Sequence, residues 1–290
     1  MRVAVAGSGT VVGRCALRGL HAAGHEVVVV DTGAEPLPDV AVAARTMAGC
    51  DALVSLPAQI PTGRQALRGR AWRTHDLRRS EGVLRLTEAA RLAGVRRVVL
   101  QSVSFVYADG ADDWITEHSP VCVTAATEPA SVGELAVQRH TGAARTGVVL
   151  RMGLVVGDSP LTRWSLRAAA AGRPVGLGDP DGYAHLIHSD DVGDAVCAAL
   201  DAPSGTYNVG AEPVRRGELA DRCAAAVGRD EAGFLGAWTT RWGRERLEPL
   251  RRSLRVSSDR FSDVTGWRPR RERLDAGWFE AAGLPELVVR

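Results

Sequence analysis

Lysine is missing from all 290 residues, so the 36 strongly basic side chains are all arginine. That absence excludes Schiff-base catalysis and any tyrosine acid that relies on a neighbouring ammonium group. Tyrosine itself is scarce, at Tyr107, Tyr183 and Tyr207 only. No apolar run approaches the ~20 residues of a membrane-spanning helix, and no leader pattern precedes the first core-like strand, so the expectation is a cytoplasmic protein with no membrane partner. The formal charge is only +2 and the arginines are scattered; Arg251, Arg252 and the cluster from Arg268 to Arg273 read as solvated surface, and no nucleic-acid partner is expected. The five cysteines (Cys15, Cys50, Cys122, Cys197, Cys223) have no metal-ligand spacing and no paired framework, which leaves free thiols and no metal site.

What is present is organised around the stretch from Val3 to Asp31. Residues 2–6 form a short apolar strand that opens directly onto Gly7, Ser8, Gly9, Thr10, Val11, Val12 and Gly13. From Val11 to Ala23 the periodicity predicts a helix with Val12, Ala16, Leu17 and Leu20 on one face. Glycines suit such a turn because the backbone bends sharply and lets a pyrophosphate reach main-chain N–H groups at a positive helix end. A second strand, Glu26 to Val30, ends on Asp31, eighteen residues after Gly13, where an acid can accept hydrogen bonds from an adenosine ribose.

Further on, strand patterns at 50–56, 97–101 and 147–152 alternate with helical ones at about 77–93 and 130–141. This alternation predicts an α/β fold, a Rossmann-type doubly wound parallel sheet, over a dinucleotide-binding part at 1–157. Residues 158–290 read as a smaller substrate-binding region with some elements returning to the sheet. Helical patterns there fall at 160–171, beyond the 185–191 stretch up to Leu200, at 218–227 and 271–282, and the last strand at 205–209. Ligands in such sheets lie beyond the carboxyl ends of the strands, so the candidate cofactor residues are Gly7 to Gly13, Arg14, Asp31, Leu56, Pro57, Ala58, Gln101, Met152, Gly153 and Val155. The cofactor is NAD(P)H. Asp31 argues for NADH, because a carboxylate repels a 2′-phosphate, and Arg14 argues for NADPH, so the choice stays open.

Taken in order, these motifs resemble the extended short-chain dehydrogenase/reductase family, the group that includes sugar-nucleotide epimerases and dehydratases. Gly7 and Gly13 keep the outer spacing of its Gly-x-x-Gly-x-x-Gly turn, with Thr10 in place of the middle glycine. Residues 88–95, 188–192, 207–210 and 265–269 look like further landmarks of the family. The resemblance implies a catalytic Ser or Thr four residues before Tyr107, but Val103 stands there. It implies a Tyr-x-x-x-Lys helix at 130–134, but Ala130 and Glu134 stand there. In these losses the chain is similar to the atypical ketoreductases of actinomycete aromatic polyketide pathways.

Ketone reduction needs a hydride and a proton for the developing alkoxide. Without the tyrosine, the proton could come from Ser102 or Ser104, from water, or from a phenol beside the carbonyl of an aromatic polyketide-type substrate. Ser102 and Ser104 flank the vacated position; hydroxyls that merely cap a strand end are the alternative reading. Val103, Phe105, Tyr107, Trp164 and His188 are the candidate substrate-binding residues, the Asp190–Asp191 pair reads as a helix N-cap, and Glu134 reads as surface. The expected partner is a small aromatic molecule, and the oligomeric state stays open. A non-redox isomerase, dehydratase or lyase and a nucleotide-sensing binding protein are the competing functions.

Overall fold

A computed structural model describes residues 1–30, 37–57, 60–62, 65, 68–235 and 244–282. Strand β1 (Arg2–Ala6) runs into helix α1 (Val11–Ala22), followed by β2 (Glu26–Val30), α2 (Val40–Thr46), β3 (Ala52–Ser55), α3 (Gly69–Arg79), α4 (Glu81–Leu92) and β4 (Arg97–Val103). Next come β5 (Trp114–Ile115), α5 (Glu128–His140), β6 (Thr146–Met152), β7 (Leu154–Val156) and α6 (Pro160–Ala170). The last third holds β8 (Tyr183–Ala184), β9 (Leu186–His188), α7 (Ser189–Ala199), β10 (Gly205–Val209), β11 (Val214–Arg215), α8 (Arg216–Ala225), α9 (Arg244–Leu247), β12 (Arg255–Val256) and α10 (Asp259–Thr265).

Six strands form one parallel sheet in the order β10-β6-β4-β3-β1-β2. Both faces are covered, which is why the central strands read as unbroken apolar runs. Val3 and Val5 face α1 and α7, whereas Ala4 and Ala6 face α2 and α4, as the two-residue strand period requires. The chain leaves β2 and returns on the far side of β1 as β3, so the order reverses between β1 and β3. That reversal opens the crevice in which such sheets bind ligands.

Three departures from the sequence reading have physical causes. The helical pattern at 77–93 is two helices: Ser80 (φ −99°, ψ −88°) breaks the path, and its hydroxyl donates to the Asp76 carbonyl at 2.8 Å. Residues 271–282 form two 3-10 turns, Ala276–Trp278 and Glu280–Ala282, with the Trp278 indole N–H anchored on the Arg273 carbonyl at 2.8 Å. At the start of α7 the cap is His188, whose Nδ1 accepts from the Asp190 N–H; the Asp191 carboxylate instead accepts from the Arg270 and Arg271 N–H groups.

Helices α7 and α1 approach most closely at two glycines: a Cβ on Gly19 would lie 2.7 Å from Gly193 backbone, and one on Gly193 would lie 2.7 Å from the Cys15 carbonyl oxygen. Gly193→Ala is therefore expected to lower stability by about 1–3 kcal/mol despite alanine's better helix propensity. Urea denaturation would read this as a lower midpoint at an unchanged m-value.

Candidate functional site

The glycine turn is shaped by close approaches. Gly7 has φ +88°, and a Cβ there would fall 2.0 Å from the Leu56 carbonyl oxygen; one on Gly13 would fall 2.2 Å from the Gly7 oxygen. Gly9, by contrast, faces open space. Thr10 fills the middle-glycine position for a reason of its own: its hydroxyl donates to the Gly7 carbonyl at 2.9 Å and accepts from the Gly13 N–H at 2.9 Å, capping α1. The turn and the helix N-terminus thus present backbone to a cavity of about 800 Å³ at the β1/β3 reversal.

Of the expected cofactor residues, Gly7, Ser8, Gly9, Thr10 and Pro57 line that cavity, joined by Val30 and Ser55 at the ends of β2 and β3. Val11, Val12 and Gly13 are buried behind it, and Leu56 packs under the turn. Arg14 lies on the surface with its guanidinium donating to the Gly9 carbonyl at 3.0 Å. Gln101 and Met152 are buried at the strand ends, a Cβ on Gly153 would meet Leu186 backbone at 2.7 Å, and Val155 is half-buried. Asp31 and Ala58 lie outside the described residues. Among the described residues no group of three or more His, Cys, Asp or Glu could hold a metal ion. The open Gly9, the side-chain-free approach at Gly7 and the cavity size fit a dinucleotide.

The acid–base positions carry a different chemistry. Glu134, on α5 one turn beyond Ala130, is only 4% exposed, so the surface reading is corrected. It is locked to Arg151 of β6, with Nη2–Oε2 at 2.7 Å and Nε–Oε1 at 3.1 Å. Ser102 donates its hydroxyl to the same carboxylate at 2.5 Å and is fully enclosed, which commits it to this network and away from substrate. The Arg151 guanidinium stands 4.7 Å over the Tyr107 ring. Burial opposes the Arg151 charge, yet the hydrogen bonds and charge of Glu134 hold its pKa above the ordinary arginine value.

Tyr107 has no exposed surface and donates to Asn208 Oδ1 at 2.7 Å, while the Asn208 N–H donates to Glu117 Oε1 at 2.8 Å. Burial raises the phenol pKa against the pull of Arg151, so Tyr107 is a neutral core residue and not a cleft wall. His188 is likewise fully buried beneath Trp278 and serves as the α7 cap; burial lowers its pKa, opposed by the Asp190 charge. Val103 and Ser104 are buried, Phe105 is half-buried and Trp164 is exposed. The sequence reading missed Arg151, although an arginine inside an otherwise apolar strand was a visible signal. It also missed the cavity wall formed by α3.

Residues 3–210 match the model of the NAD dependent epimerase/dehydratase family. A 3-diazoavenalumate denitrifying reductase from a Streptomyces species is 30% identical over 297 residues, covering 93% of this chain and 96% of that protein. The crystal structure of the human epimerase family protein SDR39U1 with NADPH superimposes with a TM-score of 0.83 at 25% identity, covering 97% of this chain and 99% of that one. The dTDP-glucose 4,6-dehydratase DesIV of Streptomyces venezuelae, a double mutant with NAD bound, shares the fold with a TM-score of 0.76 at 19% identity, covering 97% and 95%.

Removing one member of the buried pair strands the other. Glu134→Ala is expected to cost about 3–5 kcal/mol in urea denaturation, whereas Glu134→Leu combined with Arg151→Met recovers most of that loss. A second expectation concerns acid. Both ring nitrogens of His185 are buried with no hydrogen-bond partner among the described residues, and burial drops its pKa to about 3. The unfolded chain therefore takes up that proton first, so the contribution of His185 is complete above about pH 6.5 and is lost as the pH falls towards 3. His185→Leu should flatten the acid limb of the stability–pH curve by close to one proton.

Proposed function

The chain belongs to the NAD dependent epimerase/dehydratase family, the extended short-chain dehydrogenases/reductases, and from that premise we propose that it is an NAD(P)H-dependent reductase of a small aromatic natural product. The acceptor is a ketone on an angucyclinone-like polyketide, and its proton comes from the substrate or from water. One observation carries the reading: the positions of the ordinary tyrosine and lysine hold Ala130 and a Glu134 sealed against Arg151 and Ser102. A dinucleotide held by the glycine turn of residues 7–13 would supply the hydride. A protein general acid is worth about 10²–10⁴-fold, so its absence is tolerable where the substrate brings its own acid. A phenol hydrogen-bonded to the carbonyl does so: hydride adds to the carbonyl carbon, the alkoxide takes the phenolic proton, and water reprotonates the phenolate. The chain's own part is to orient the reactants. Its near-neutral surface is in keeping with a small-molecule partner, with neither nucleic acid nor membrane involved.

The name of the Streptomyces relative favours a second acceptor, a diazo group on an aromatic ring. Hydride addition to an arenediazonium ion expels dinitrogen and leaves the arene, with charge balanced and no proton required. Such a reaction would make the missing acid irrelevant.

Both readings predict net oxidation of the reduced cofactor, which a non-redox epimerase or dehydratase would not cause. The test supplies a phenol-bearing aromatic ketone, its O-methyl ether and an ortho-diazonium benzoate in separate assays. Turnover of the free phenol, at least ~100-fold faster than of its ether, is the expected result. Consumption of the diazonium with release of dinitrogen would move the assignment to the second acceptor. Absence of oxidation with all three would overturn the redox reading.

A further inference from the structure

Opposite the glycine turn, the cavity at the sheet reversal is walled by one face of α3, where Arg70, Thr74 and Arg78 recur at four-residue intervals. The two arginines differ in place. Helix α3 ends against α5: a Cβ on Gly133 would lie 2.5 Å from the Arg79 carbonyl oxygen. Gly133 stands between Ala130 and Glu134, the positions where the family resemblance puts the tyrosine and the lysine. Arg78 therefore belongs to the end of α3 beside the acid–base positions, and Arg70 lies about 12 Å back along the helix axis. The same cavity is lined by Gly82 and Leu86 of α4 and by Pro160 at the start of α6, the first helix of the part expected to take substrate.

Arg78 has no carboxylate partner among the described residues, although its helix neighbours are engaged. Arg79 Nε donates to His75 Nε2 at 3.1 Å, and Asp76 holds Arg246 at 2.7 Å. Arg78 Nε is shut away from solvent with no hydrogen-bond partner, and the described lining of the cavity includes no Asp or Glu. An N–H withheld from water carries a free-energy cost that an incoming acceptor relieves. The planar guanidinium fork matches an anion with paired oxygens, which either a dinucleotide phosphate or a substrate carboxylate can present. The pyrophosphate has donors of its own in the glycine turn and the N-terminus of α1. A substrate anion has none at the acid–base positions, because Arg151 there is held by Glu134. We infer that Arg78, with the Thr74 hydroxyl one turn before it, forms a carboxylate subsite, so that the aromatic ketone this chain reduces is also an acid. The inference rests on the reductase reading above and names the class of its acceptor. Holding the carboxylate at one point fixes the acceptor relative to the dinucleotide, which is the orientation that hydride transfer needs.

The test is calorimetric titration of the full chain, first with oxidised NAD and NADP. The chain saturated with the tighter of the two is then titrated with 3-acetyl-4-hydroxybenzoate and with its methyl ester. The acid is expected to bind at least ~10-fold more tightly than the ester. Arg78→Gln should abolish that difference and leave the dinucleotide within ~2-fold, and its urea midpoint should not fall, because the variant loses an unpartnered group. Thr74→Val, which keeps the side-chain shape and the arginine, should weaken the acid by ~3–10-fold and leave the ester unchanged. Equal binding of acid and ester by the wild type, or no binding of the acid, would overturn the subsite while leaving dinucleotide binding intact. Parallel weakening of dinucleotide and acid in Arg78→Gln would assign the arginine to the cofactor phosphates and overturn the subsite as well. Selective binding of the acid without oxidation of the reduced cofactor would overturn the reductase reading and uphold the subsite.

Discussion

A carboxylate withdrawn from water is tolerable only with a cation and hydrogen bonds around it, and the enclosure of Glu134 by Arg151 and Ser102 meets that condition. The contact ties α5 to β4 and β6, and the guanidinium extends it across the Tyr107 ring to Asn208 on β10. Four elements of the sheet and its covering layer thus converge on one pair of charges. Glu134 stands where the family resemblance puts the lysine, so this part of the interior is held by a buried ion pair.

Why arginine serves throughout is visible in the irregular segment after β4. Arg252 donates through one nitrogen to the carbonyls of Phe105, Tyr107 and Cys122 at 3.1, 2.8 and 3.1 Å while the rest of its fork is paired with Glu248. Arg216 reaches the Arg252 carbonyl in turn, and Arg97 donates to the carbonyl of Ala202 at 2.6 Å. Buried loop carbonyls need donors that secondary structure does not supply. A planar group with five N–H donors satisfies several of them at once, and a compact ammonium on a flexible stem is a poorer fit.

The parallel sheet and the glycine turn were legible because each has a local signature: unbroken apolar runs of strand length, and glycines where backbone approaches backbone. Other features had no local mark. The break at Ser80 lies inside a continuing apolar pattern with no proline to announce it. The burial of Glu134 depends on Arg151, seventeen residues away on another element. At the start of α7 two aspartates made the obvious cap, yet His188 took the role because Asp191 was needed by the backbone of residues 270 and 271. The cavity-facing side of α3 was missed because the sequence reading placed no helix between residues 57 and 77.

The seam between Gly19 and Gly193 bears on how the molecule could have been assembled. The helix that presents the glycine turn rests bare backbone against a helix encoded some 170 residues later. Side chains such as Val12 and Val196 pack in the core cluster that the two helices share, but at the glycines themselves backbone meets backbone. A helix offered in place of α7 would therefore have to carry a glycine at the same point of contact.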